Sequence, residues 1–299
     1  MTSFRVDAPG RADRSVAEKL PGRSRHAIAR AFADGLVRVN GRPARKGQAL
    51  APGDWVEVGD VPRPEDLVPR AQPELALAVI YADDALVALD KPAGMASHPL
   101  RAGELGTLAN ALVARFPECA GAGADPREAG LAHRLDASTS GVLVAARRRV
   151  VWETLRAEFR GGRVAKTYLA LVAGIVDVAR EIEASIAHDR SGAGGVRVSE
   201  RAGAQPALTD VEPVERLGGW TLVRCRAHTG RMHQIRAHLA WAGWPVVGDA
   251  RYGGPAAPGG AFLHAARIEL GHPVTGARLE LEAPLPGERR ELLERLRAG

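Results

Sequence analysis

One carboxylate in the chain is placed to do chemistry. Asp136 lies in HRLDASTSGVLVAAR, residues 133–147, directly ahead of a Ser/Thr/Gly turn and a run of strand-forming residues. An acid in front of Ser138 and Thr139 is most often a turn former or helix cap. A second stretch suggests another use for it. In TGRMHQIRAHLAWAG, read at helical spacing, Met232, Ile235 and Leu239 form one stripe, and Arg236 falls inside that stripe. A guanidinium among aliphatic side chains keeps its proton, so it must either snorkel to water or meet a carboxylate. The expected carboxylate is Asp136, which such a pairing would hold ionised and aimed. An acid held in this way can do covalent work.

Other residues fit around this pair. Arg231 and His233 are expected on other faces of the same helix, Arg231 near its start where phosphate binds, and His233 orienting a backbone group. Tyr168, in AKTYLALV, reads equally as a strand core residue with a satisfied hydroxyl and as a stacking platform for an everted base. His98, His228, His238 and His264 are not at zinc-protease spacing, and Cys119 and Cys225 stand far apart without ligand spacing. Neither a metal site nor a disulfide framework is expected. STSG lacks the GxSxG elbow, and no glycine-rich loop leads into GK[ST], which removes acyl-hydrolase and P-loop chemistry. Without a motif for any nucleotide or nicotinamide group, no cofactor is expected.

The elements that must position these residues fall into two parts. VPRPEDLVPRAQPE, residues 61–74, holds four prolines among charges and reads as a linker between a small front module, 1–60, and a large domain, 75–299. In front, RSVAEKL is a short helix and Ser24 caps RHAIARAFAD, with Ile28 and Phe32 facing the core and Arg30 facing out; LVRVNG and DWVEVG are short strands around the basic turn GRPARKG. Behind, LAVIY and ALVALDK flank a turn, TLANALVARF and VVWETLRAEF are helical, GVLVAAR, KTYLALVAG and WTLVRCRA are strands, and ELLERLR closes the chain as a helix. This order predicts an α+β fold with a mixed, mostly antiparallel sheet flanked by helices. DRSGAGGVRVSERAGAQP, residues 189–206, is expected to be a mobile basic loop.

Charge adds a partner. The chain of 299 residues carries 41 Lys and Arg against 35 Asp and Glu, a net charge of +6, and its 45% hydrophobic content suits a globular protein. Residues 1–60 hold eleven basic and seven acidic residues, so +4 of the +6 sits in the front fifth. A solvated face would explain such an excess; a polyanion partner would too. The longest apolar stretch, LALAVIYA at 75–82, is too short to span a bilayer, and MTSFRVDAPGRADR lacks the apolar core of a signal peptide. A cytoplasmic monomer with no membrane contact is expected.

Two resemblances sharpen the reading. SRHAIARAFADGLVRVNGRPARKGQALAPGDWVEV resembles the small α/β RNA-binding module named after a small-subunit ribosomal protein. That likeness implies phosphate contacts by Arg23, Arg25, Arg30 and Lys46, which give affinity without reading sequence. KPAGMASHP, HRLDASTSGVLVAAR, AKTYLALV, HTGRMHQIRAHLAWAGWPVVGDARYGG and LHAARIELGHPVTGARLELEAP, in that order, resemble the successive motifs of the RluA-type RNA pseudouridine synthases, over roughly residues 77–290. The departures are Ala137 and Ser138 in place of a commonly charged pair, Val142 and Val144 where Leu is commoner, and the glycine content of 189–206. The resemblance implies an isomerase acting on RNA without a cofactor, its fold the pseudouridine-synthase catalytic domain. It further implies that Asp136 is the catalytic carboxylate, Arg236 its salt-bridge partner and Tyr168 the residue packed against the target base. Ile235 and Leu263 would be apolar pocket walls, and Arg134 would fill the gap left by the everted uridine. The front module points to large-subunit ribosomal RNA. The alternative is a catalytically silent RNA-binding or ribosome-assembly protein on the same scaffold.

Overall fold

A computed structural model describes residues 1–189 and 195–298. The chain divides into one unit of Met1–Val68 with Leu100–Gly103 and a second of Pro69–Pro99 with Glu104–Gly299. The proline-rich segment 61–74 is therefore split between them. Val61 is buried in the core of the first unit, while Arg70 and Gln72 hydrogen-bond to Asn110 and Gly106 in the second. No helix of the described residues is long and apolar enough to cross a membrane.

The first unit contains β1 (Thr2–Arg5), β2 (Gly10–Arg11), α1 (Ala12–Lys19), α2 (Arg25–Ala33), β3 (Val37–Val39), β4 (Arg42–Pro43), β5 (Ala49–Leu50) and β6 (Trp55–Val58). Strands β1, β6, β3 and β4 form one sheet in that order, and β2 pairs with β5. The Ser24 side chain caps α2 by accepting from Ala27 N at 3.1 Å, which satisfies one of the free amides of the first turn. Ile28 and Phe32 then point into the core with Val37, Val39, Val56 and Val58, and Arg30 faces solvent. Strand β1 is not evident from the sequence, because four residues at a terminus give too short a pattern; its residues alternate half-buried and exposed against β6.

In the second unit the order is β7 (Ala78–Ala82), β8 (Leu86–Lys91), α3 (Leu108–Arg115), β9 (Ser140–Ala146), α4 (Arg149–Arg160), β10 (Ala165–Ala173), β11 (Arg180–Glu183), β12 (Ile186–His188), β13 (Val196–Val198), β14 (Leu208–Leu217), β15 (Trp220–Ala227), α5 (Gln234–Trp241), β16 (Leu263–Gly271), β17 (Arg278–Glu282) and α6 (Gly287–Ala298). One sheet runs β11-β14-β15-β10-β16-β9-β8-β7, with β17 also on β16. Of its pairings, β16 with β9 is parallel and the others are antiparallel, giving the mixed, mostly antiparallel sheet that the sequence predicts.

Strand β9 shows why an unbroken apolar run can be a strand. All seven of its residues are buried. Val142 and Val144 pack on one face with Val151, Trp152 and Leu155 of α4, and Leu143 and Ala145 on the other with Leu108 and Leu112 of α3. With helices on both faces, alternate residues meet different cores and neither set needs to be polar. Strand β14 escapes the sequence reading because Pro213 interrupts it; the ladder absorbs the proline through a bulge between Pro213 and Glu215. The basic stretch 189–206 is part strand, since Val196–Val198 pairs with Ile186–His188; its residues 190–194 lie outside the described residues.

Candidate active site

Asp136 sits in the turn that enters β9, and the backbone of that turn is fastened on every side. Asp136 O accepts from Thr139 N at 3.0 Å and Ala137 O from Gly94 N at 2.8 Å. The Ser97 hydroxyl donates to Leu135 O at 2.8 Å and accepts from Leu135 N at 3.2 Å. Lys91, fully buried, donates to the carbonyls of Pro92, Met95 and Ala137; burial lowers its pKa to about 8, against an opposing pull from Asp136. These contacts explain why KPAGMASHP and HRLDASTSG belong to one site. Gly141 closes the motif at φ 111°, and a Cβ there would overlap the backbone of Ala265 on the parallel neighbour β16.

Arg236 reaches Asp136 through Nη1 at 2.8 Å. The same guanidinium grips a second carboxylate, with Nε to Asp249 Oδ2 at 2.6 Å and Nη2 to Asp249 Oδ1 at 2.8 Å. Asp249 is 2% exposed and Asp136 25%, so one carboxylate is sealed behind the arginine and the other faces the opening. The two hydrogen-bonded acids hold the Arg236 pKa above its ordinary value although burial opposes it. The Tyr252 ring covers the guanidinium from 5.1 Å.

Around this pair lies a cleft of about 530 Å³. Tyr168, Ile235 and Leu263 line it beside Asp136 and Arg236, with Arg134, Arg231 and His233 also on its wall. Tyr168 is half-buried in β10, where the register against β16 shifts between Thr167 and Tyr168, a bulge of the kind that re-aims a side chain beside a site. Burial and the nearby Asp136 raise the pKa of its phenol, and no hydrogen bond engages that hydroxyl among the described residues. The ring also packs against two cores of the domain, beside Ala170 and Val223 on one side and Leu135 and Leu143 on the other.

Helix α5 starts later than its sequence pattern suggests. Arg231 and Met232 precede it and His233 is its N-cap, in the left-handed conformation at φ 51°. The cause is Gln234, whose Oε1 accepts from Thr229 Oγ1 and Arg231 N, while its Nε2 donates to Leu208 O and Thr209 Oγ1. That knot holds the entry as a turn until residue 234. Arg231 consequently lies ahead of the helix and donates through Nε to Pro206 O at 3.0 Å. His233 does not orient a backbone group. Its Nδ1 lies 2.9 Å from the Tyr252 hydroxyl, which also accepts from Val196 N, and its other ring nitrogen, Nε2, is turned towards Asp136. That Nε2 stands 3.8 Å from Asp136 Oδ1. Burial lowers the His233 pKa, which keeps the ring neutral.

The sequence reading missed Asp249, Tyr252, Lys91 and His133. Asp249 and Tyr252 carried a signal: an acid after the apolar run PVV, with an aromatic one turn later, inside the motif that also holds Arg236. His133 is stacked on Phe159 at 4.5 Å and accepts from Val144 N at 3.1 Å; burial, with Lys166 and Arg156 nearby, pushes its pKa down to about 3. It thus ties the HRLD segment to the edge of β9.

In the first unit the four expected phosphate contacts separate. Arg23 donates to Val61 O at 2.6 Å and Arg30 pairs with Asp34 at 3.4 Å. Arg25 and Lys46 line a cleft of about 460 Å³ together with Arg11, Arg14 and the acids Asp13 and Glu18, Arg11 being paired with Asp13.

A mixed sheet with helices on both faces, carrying a cleft built around a carboxylate and a shared guanidinium with no serine or cysteine among its lining residues, defines the class: an α+β protein with a carboxylate-centred cleft. Comparison with known proteins specifies which. Residues 85–241 match the model of the family described as RNA pseudouridylate synthase. The chain is 34% identical over 282 residues to ribosomal large subunit pseudouridine synthase D of Neisseria meningitidis, covering 90% of this chain and 74% of that protein. It is 35% identical to the uncharacterized RNA pseudouridine synthase YlyB of Bacillus subtilis, covering 96% and 94%. Among solved structures, human RNA pseudouridylate synthase domain containing 1 matches with a TM-score of 0.56 and 26% identity over 75% of this chain and 96% of that one. The chain belongs to the RNA pseudouridine synthase family of the RluA type, and it is an isomerase acting on RNA.

Proposed function

We propose that this protein converts particular uridines of large-subunit ribosomal RNA to pseudouridine, working as a monomer in the cytoplasm, with Asp136 as its catalytic carboxylate. The observation that carries the reading is the Asp136 carboxylate, held by Arg236 at 2.8 Å and facing a cleft whose walls are Tyr168, Ile235 and Leu263. Large-subunit RNA is favoured by the name of the Neisseria relative and by the basic front unit.

The reaction breaks the bond between uracil N1 and the anomeric carbon, turns the base over, and joins carbon 5 to that same carbon. N1 gains a proton and carbon 5 loses one, so nothing is oxidised and no group is imported. The base must first leave its stack, because the sugar is otherwise out of reach. Tyr168 offers a face for the everted ring, Ile235 and Leu263 retain the detached uracil in a dry space, and Arg134 occupies the gap in the RNA. Asp136 acts at the sugar or an adjacent centre. Arg236 keeps its carboxylate directed into the cleft. Asp249 takes two of the three donating groups of Arg236, so the guanidinium positions Asp136 through one hydrogen bond and does not wrap it.

The test uses a large-subunit ribosomal RNA transcript carrying tritium at carbon 5 of uridine. Wild-type protein releases the label to water, and Asp136→Asn retains it while binding the transcript within a few-fold of wild type. Equal release by both proteins would overturn the role of Asp136, and no release by either would favour the silent-scaffold alternative.

A further inference from the structure

The turn carrying Asp136 is fastened by one residue that neither the motifs nor the mechanism uses. Arg289, in the first turn of α6, is 6% exposed and has no carboxylate within salt-bridge distance among the described residues. Its guanidinium is satisfied by oxygens instead. Nη1 donates to Ser140 Oγ at 2.8 Å and Leu263 O at 2.6 Å, and Nη2 to Ser138 O at 2.9 Å and Ala261 O at 2.8 Å. The Phe262 ring covers it from 5.3 Å. Two of the four acceptors belong to the segment that follows Asp136, and the other two to the segment that ends in the cleft wall Leu263.

A buried cation without a counter-ion is costly, and here burial pushes its pKa down to about 10. A structural anchor for α6 needs no such cost, since Leu293 of the same helix already packs in the core with Leu263 and Phe262. What a planar fork of donors adds is geometry: it fixes two backbone segments relative to each other in one plane. The joint continues outward. Ser140 Oγ, which accepts from Arg289, lies 2.8 Å from His264 Nδ1, and His264 Nε2 lies 3.0 Å from Ala283 O. That carbonyl requires the ring proton on Nε2, so Nδ1 accepts from the serine and each group of the chain has one role.

We propose that Arg289 is a positioning residue for the isomerisation: it sets the distance between the Asp136 carboxylate and the Leu263 wall against which the detached uracil must turn. This rests on the function proposed above. Lysine at 289 keeps the charge but cannot present two forks to four oxygens, and a displacement of about 1 Å at a reacting centre costs roughly 100-fold in rate.

The experiment measures tritium release and RNA binding, with the same labelled transcript, for wild type, Arg289→Lys, Ser140→Ala and Leu293→Ala, alongside the melting temperature of each. Arg289→Lys is expected to lower kcat by ten- to 100-fold with KM within about two-fold. Ser140→Ala, which removes one acceptor of the same joint, should lower kcat more mildly, and the double variant should fall short of the product of the two effects. Leu293→Ala should lower the melting temperature at least as much while keeping kcat within two-fold. Unchanged kcat in both Arg289→Lys and Ser140→Ala, or a kcat loss in Leu293→Ala matching that of Arg289→Lys, overturns the proposal. An inactive wild type would instead overturn the function it rests on.

Discussion

Arg236 gives Asp249 two of its hydrogen bonds, at 2.6 and 2.8 Å, with the acid sealed from solvent behind it. The arginine is thereby neutralised from within the protein and does not depend on Asp136 for its counter-charge. Removing Asp249 leaves a buried cation with one half-exposed partner. Asp249→Ala should cost about 3 kcal/mol of stability, measured by urea unfolding, where breaking a buried pair ranges over about 3 to 5 kcal/mol. It should also slow tritium release more than tenfold. Asp136→Ala should cost less than half as much stability, because Arg236 keeps its inner partner. A larger loss for Asp136→Ala would reverse the assignment of anchor and working acid.

Tyr168 should act through its ring and not its hydroxyl. Base stacking on an aromatic face is worth about 1 to 3 kcal/mol, or roughly five- to 150-fold in affinity. Tyr168→Ala should weaken binding of the target RNA within that range, and Tyr168→Phe should bind within two-fold of wild type. Filter binding of the transcript separates the two; an equal loss in both variants would show that the hydroxyl matters for binding.

The front unit should hold RNA with the residues of its cleft. Removing a side chain that neutralises one phosphate lowers the slope of log affinity against log salt by about one. Arg25→Ala and Lys46→Ala should each do so and weaken binding to any RNA alike. Arg23→Ala and Arg30→Ala should leave the slope unchanged, since those side chains are engaged by Val61 O and Asp34. Titrations at several salt concentrations decide between the two pairs.

Stability should fall in mild acid. His133, with a pKa near 3, the half-buried His233 and the buried His238 and His264, whose values are also lowered by burial, are neutral in the folded chain at neutral pH. Below about pH 6.5 the unfolded chain binds protons that the folded chain excludes, so stability is intact above that pH and declines beneath it, by up to about 1.4 kcal/mol per pH unit for each such histidine. Asp83, held at a pKa of about 2 by Tyr81, two backbone amides and His272 against the cost of burial, adds a further loss below its ordinary value of 3.8. Urea midpoints at pH 7, 6, 5, 4 and 3 test this; a flat series would mean that these groups take up protons in the fold as readily as in the unfolded chain.

Much of this protein is legible in its residues alone. Local pattern is enough for α2, capped at Ser24, for α4 and for the apolar strand β9, because helical period, caps and strand runs are written in neighbouring residues. It is also enough to expect a polar partner for Arg236 on its apolar stripe and to name Asp136 as one, although the folded chain gives the arginine a second acid, Asp249. Contacts between distant segments emerge only in the folded chain. Asp249 behind Arg236, the Tyr252–His233 hydrogen bond, Lys91 under Ala137 and Arg289 across Ser138 and Leu263 join residues from 19 to 151 positions apart or bring a second partner to a residue already assigned one. The late start of α5 is hidden for the same reason: its helical pattern runs back to Met232, but the hydrogen bonds of Gln234 to Leu208 and Thr209 hold that entry as a turn. Periodicity records which face is buried, and burial alone does not say which polar groups must meet there. That is set by the requirement that each buried donor and acceptor find a partner, and packing alone brings those partners within reach.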